Sequence, residues 1–356
     1  LLSDGTVRVN RFETLTASTG TDILRMTGTG SLQISGIESL IGTTAGTDAA
    51  TLLAEGTLAV SAVDSLTGSD GTDVVRLLAG GSIELGGVET VLGSTAADTV
   101  TLAIGGSLAI SAVESAIGSS DADDVLTLLA AANVAVSAFE SVVGSSATSD
   151  SLTLLSEGEI SLSDVETLIG TTGTDTATLL STGTLAVSKV DTVIGTDGTD
   201  TVKMLAGGTV AITDIERVIG SASTADVVQM LADGTLEVSA VESVVGSADE
   251  DAVTMLAAGS LKLSDVETVI GSTTLVEVVT LNAGSLLAVS DINTVIGQAG
   301  VDDSVQMLAG GALAASAVDT VTGTTGSTDA LTLLAAGTVT VIDIESVTGS
   351  AALAEV

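Results

Sequence analysis

The sequence predicts an all-β fold, a parallel β-solenoid (β-helix) of about 13 coils, each about 25 or about 26 residues long with three short strands. Three observations predict it. An acidic residue recurs at that interval along the chain: Asp22, Asp48, Asp73, Asp98, Asp124, Asp150, Asp175, Asp200, Asp226, Asp251, Asp303 and Asp329, with Glu277 in the same column. Between these anchors the apolar residues alternate with period two, the facing of a strand and not of a helix. The chain also holds 41 Gly and no Pro, so corners are supplied and no ladder hydrogen bond is removed. A period of this size, held throughout, marks a stack in which each repeat packs on its neighbours. A helical repeat is the rival reading, opposed by the Gly pairs and the Thr, Val and Ile content.

The chain opens inside a repeat, with Leu1 and Leu2 matching the paired leucines of later units, and its last, incomplete repeat runs from Asp329 through Gly349 to Val356. Residues 1–356 read as one repeat domain without a polar cap at either end, so further protein is expected to continue the stack. In the unit that begins at Asp200, Val202 and Met204 are expected to face inward, with Lys203 outside. Arg25, Arg76, Gln229 and Gln306 share the Lys203 column. After the Ala-Gly-Gly turn, Val210 and Ile212 repeat the alternation as a second strand.

The third segment begins with Ile215, in the inward column that also holds Phe12 and Phe139. Arg217 marks an outward position, which turns Val218 inward and Ile219 outward. The Ile219 column, with Ile41, Leu92, Ile117, Ile169, Ile194, Ile270 and Ile296, is thus expected to form an exposed apolar stripe and a candidate interface. Each strand is expected to pair in parallel with its own counterpart one coil away, about 4.8 Å along the axis.

With 46 acidic and 8 basic residues the formal net charge is −38. This excludes nucleic acid as a partner, since phosphate contacts need the opposite sign, and favours divalent cations or cationic surfaces. A chain 45% apolar, with those residues in register, is not disordered. Cys and His are both absent, which removes disulfides, thiolate sites and the commonest transition-metal ligand and leaves oxygen ligands alone. Two Phe and no Trp or Tyr leave no stacking platform for sugars or bases. There is no apolar run of about 18 residues to span a bilayer.

The loop before each anchor carries the chemistry. Gly198-Thr199-Asp200, followed by the inward Val202, recurs as Gly-Thr-Asp at 20–22, 46–48, 71–73 and 173–175. It resembles the second half of the nonapeptide GGxGxDxUx of the haemolysin-type calcium-binding (RTX) proteins, which are secreted parallel β-rolls. The resemblance implies calcium as cofactor, the anchoring Asp column named above as its ligands, and an extracellular or cell-surface bacterial location.

The alternative is that each Asp caps its own turn. If like charges stacked one coil apart they would repel by roughly 1 kcal/mol in water, which a cation would relieve. A second acidic column, containing Glu38, Glu89, Glu140, Glu216 and Glu345, also admits Asp64 and Asn293. What that position requires is therefore an oxygen acceptor. No coil carries a singular cluster of catalytic residue types, so the chain reads as no enzyme. The expectation is a structural extracellular component that builds a rod, filament, surface layer or matrix by stacking and lateral association. The alternative is the stalk of a large adhesin, and the third reading a polysaccharide-active β-helix enzyme.

Overall fold

The computed structural model describes residues 5–10, 13–17, 19–146, 149–223 and 225–350. Leu1, Leu2, Phe12 and residues 351–356, which enter the reading above, lie outside these. The described residues form strands and turns in two compact units, residues 1–181 and 182–356. Each unit is a stack of parallel strands wound into two facing sheets.

Every repeat contains three strands, as in Asp73–Leu77, Gly81–Gly86 and Thr90–Leu92. A coil, however, uses two strands and not three. A turn therefore takes about 18 residues, and the two units together hold about 19 turns, which replaces the 13 or so longer coils that the repeat length suggested. The expected pairing of counterparts fails for the same reason. Gly56 stands beside Asp73, Val74 beside Thr90 and Thr90 beside Ala109, so each strand pairs with the next strand but one along the chain. Going up one sheet, the second, first and third strands of the repeat follow in turn. Identical strands return after three ladder steps, because the intervening repeat places its copy in the opposite sheet.

The physical reason is that ladder partners need only agree in facing. All three strand types present apolar side chains inward with period two, so any type can lie on any other without turning its core residues out. In register, Val75 sits between Leu58 and Val91, and all three are buried. Two sheets about 10 Å apart are filled by Leu, Val, Ile and Met reaching from both sides. In the unit at Asp200 the structure buries Val202, Met204, Val210, Ile212, Ile215 and Val218, and exposes Lys203 and Arg217.

The corner between the second and third strands is left-handed. The residue that turns it has φ between 51° and 56° at Ala62, Ala112, Ala138, Asp164, Lys189, Asp214 and five further repeats in the same range. All of these residues carry a Cβ, and glycine turns the same corner at Gly36 and Gly87. As the sequence suggested, glycine supplies the corner before the second strand, with φ between 149° and 159° at Gly30, Gly56, Gly81, Gly106, Gly158, Gly183 and Gly259. A further recurring demand for glycine lies just after the third strand, where two backbones touch. A Cβ built on Gly195 would lie 1.8 Å from the Asp214 carbonyl oxygen, and the Gly195 N–H donates to the Thr213 carbonyl at 2.8 Å.

Candidate functional site

The anchoring carboxylates sit at the first residue of the first strand, as at Asp73, or immediately before it, as at Asp200, where the chain leaves a turn and enters the sheet. Every one of them in the described residues is buried, from Asp22 to Asp329 and including Glu277. A buried carboxylate needs donors, and here the backbone provides them. One oxygen of Asp200 accepts the Thr196 N–H and the Thr196 hydroxyl, both at 2.7 Å. Its other oxygen accepts the Gly183 N–H at 2.9 Å. Asp150 is held in the same way by the Ser145 N–H at 2.6 Å, the Ser145 hydroxyl at 2.8 Å and the Ala132 N–H at 3.0 Å. The loop hydroxyl four or five residues before the anchor is thus part of the site, donating to the Asp carboxylate.

The second acidic column completes the arrangement. The Asp200 N–H donates to Glu216 Oε2 at 2.7 Å, and the same bond joins Asp73 to Glu89 and Asp329 to Glu345, also at 2.7 Å. Asp64 and Asn293, two of the column's four exceptions to Glu, accept the equivalent N–H from Asp48 and Glu277 at 2.8 Å, and Asp319 accepts it from Asp303 at 3.0 Å. An oxygen at the right reach is what the position uses, whether charged or not. Going up a sheet, a glycine N–H is capped by the Asp of the next coil, and the N–H of that Asp by the Glu of the coil after. Glu277 is held more loosely than Asp200. Its Oε1 accepts the Ser272 N–H at 3.2 Å, while its buried Oε2 finds no partner.

Asp329 shows the electrostatic consequence. The Thr324 N–H holds its carboxyl below the usual carboxylate range, helped by the Thr324 hydroxyl and the Gly311 N–H, and burial opposes them. Calcium takes about six to eight oxygen ligands. Among the described residues no three His, Cys, Asp or Glu side chains converge as a metal would require. Most anchor oxygens receive N–H or hydroxyl groups, as at Asp150 and Asp200, whereas both oxygens of Asp22 and one each of Asp48 and Asp98 are buried without a partner. Asp22 and Asp73 lie in the same sheet three strands apart, about 14 Å by the usual spacing. The like-charge stacking expected within the Asp column is therefore absent.

The expected apolar stripe is redistributed by the same topology. Ile41 and Leu92 lie on one sheet of the first unit, Ile117 and Ile169 on the other; in the second unit Ile194 and Ile296 lie on one sheet, Ile219 and Ile270 on the other. Leu92 and Ile270 are exposed and the other six half-buried, on strands whose neighbouring inward residue is buried. Within a sheet they do not touch each other. Ile41 stands between Arg25 and Ser61.

A second outward column, missed by sequence reasoning, lies diagonally beside the first. It holds Ile23, Val74 and Val125 in alternate repeats, before Thr176 ends the series, and Ala49, Thr99 and Ser151 in the repeats between. That alternation over two repeats was the available signal. Set against known protein families, curated proteins and solved structures, the chain matches none of them.

Proposed function

We propose that this chain is a structural component outside the bacterial cell, a β-solenoid whose copies associate into a rod, filament, surface layer or matrix. The observation that carries this reading is how charge is distributed. The chain has a net charge of −38, yet the outward strand positions of the first unit include only two acids, Glu84 and Glu159. The negative charge lies along the corners, where the acidic columns cap backbone N–H groups, and the two sheets are left as flat, weakly charged surfaces. Such surfaces suit packing against other flat surfaces. The corners keep the chain soluble and set the direction of approach. The extracellular location is supported by the Gly-Thr-Asp loops, which resemble those of secreted calcium-dependent repeats.

Sedimentation of the full chain over a range of concentrations, with electron microscopy of the concentrated samples, tests the reading. Concentration-dependent assembly into rods or sheets is the expected result. A chain that stays monomeric throughout would favour the adhesin stalk, which needs only to be soluble and stiff.

A further inference from the structure

The two sheets of the first unit are chemically different, and the difference follows from the coil. Two strands per coil and three per repeat send alternate repeats to opposite sheets, so a pattern that alternates between repeats becomes a pattern that separates two faces. The face built from Asp22–Met26, Asp73–Leu77 and Val125–Leu128 presents Ile23, Val74 and Val125 outward. The opposite face presents Ala49, Thr99 and Ser151 at the equivalent places.

Register turns the first set into pairs. Ile23 lies opposite Ser39 while Ile41 lies opposite Arg25, so the two isoleucines are diagonal neighbours across one ladder step. Val74 and Leu92 are related in the same way, as are Val125 and Val143. Diagonal neighbours stand about 7–8 Å apart, within reach of each other. One such couplet recurs every three strands, about 14 Å along the face. The opposite face has no couplet: Ile117 is diagonal to Thr99, and Ile169 to Ser151. The second unit repeats the motif with Val227 and Val245, and with Val278 and Ile296.

We propose that the couplet-bearing face of the first unit is an interface with a second copy of this chain, packed face to face. This rests on the self-associating reading above and names its surface. Three features select a second copy. A row of apolar couplets at that three-strand pitch is complemented by a surface of equal pitch, which another copy presents. Eleven strands contribute to the face. At about 4.8 Å per strand and about 16 Å of strand length they offer roughly 800 Å², the area each partner gives to a standard stable interface. Its charged outward residues are Arg8, Arg25, Arg76 and Glu159. The arginine stems are long enough to carry their guanidinium groups past the flat face toward the acidic corners of the partner.

The test replaces Val74, Leu92, Val125 and Val143 together by Thr in the full chain. Thr occupies equivalent positions natively at Thr99 and Thr67, so the fold is expected to survive, and circular dichroism with thermal unfolding checks that it does. A control replaces Ile117 and Ile169 by Thr on the opposite face. The expected result is a weakening of self-association by roughly tenfold or more in the first variant, measured by sedimentation, and little change in the control. Wild-type association in the first variant overturns the proposal, and so does a loss confined to the control, although either leaves self-association standing. A wild-type chain that never associates overturns the function proposed above and this interface with it.

Discussion

Gly195 and Asp214 show how a single contact fixes the path of the chain. The left-handed residue costs about 1–2 kcal/mol when it carries a Cβ, and it turns its carbonyl against the glycine of the preceding coil. Only a residue without a Cβ fits there. Gly195→Ala is expected to destabilise the second unit by about 1–3 kcal/mol in denaturant unfolding, because the obstructing atom is backbone and cannot rotate away. Gly208→Ala is the comparison. A Cβ on Gly208 meets nothing within 4 Å, so its effect is expected to stay within about 0.5 kcal/mol. Equal effects would show that the contact with Asp214 is not the reason for the glycine.

Asp329 extends the residue scale to pH. Its carboxyl is held below the ordinary range by donors that exist only in the folded chain, chiefly the Thr324 N–H. A group with a lowered folded pKa contributes stability that is fully present above its unfolded value and is lost as pH falls through the folded value. The turn joining Thr324 to Asp329 is therefore expected to keep its amide protection at neutral pH and to lose it in acid, below the usual carboxylate range. Hydrogen exchange of peptides covering residues 311–329 measures this. Asp329→Asn should show weakened protection already at neutral pH and no such acid step; a step that survives the substitution would assign it to another group.

Strands were the most legible level of the sequence and coils the least. Period-two alternation placed Val202, Met204, Val210, Ile212 and Val218 inward, and the structure buries all five. The column that mixes Glu, Asp and Asn announced a need for an oxygen acceptor, and the bonds to Glu216 and Asn293 meet it. The closure of the coil was not legible, because sequence identity recurs with the repeat whereas geometry recurs with the turn. The two coincide only if unlike strands cannot pair, and here they can. Two cysteine pairs test this in a chain that has no Cys of its own. Thr127 and Val143 are ladder neighbours, so T127C with V143C is expected to oxidise to a disulfide within one chain. Thr127 and Thr153 occupy the same place in successive repeats but lie in opposite sheets, so T127C with T153C is expected to remain reduced. The reverse outcome would restore the three-strand coil.

At the scale of the whole molecule the question is what 38 units of net negative charge do to a protein built to pack closely. Carboxylates on neighbouring coils lie within a Debye length of one another at about 0.1 M salt, and at about 10 mM the screening length grows to about 30 Å and spans many coils. The thermal midpoint is therefore expected to rise by several degrees as sodium chloride increases from about 10 mM to about 500 mM. If the acids act as caps and the remaining charge is diffuse, calcium chloride at matched ionic strength should give no larger rise. A clear excess for calcium, abolished by a chelator, would instead support cation binding in the Gly-Thr-Asp loops. Salt should act on association in the same direction as on stability. Contact through aliphatic couplets on weakly charged faces strengthens when the acidic corners of two copies are screened from each other. Contact held mainly by Arg25 and Arg76 on a partner's carboxylates would weaken instead. Sedimentation of the wild-type chain at the two salt concentrations separates these cases, and an assembly that dissolves at high salt would move the interface from the flat face to the charged corners.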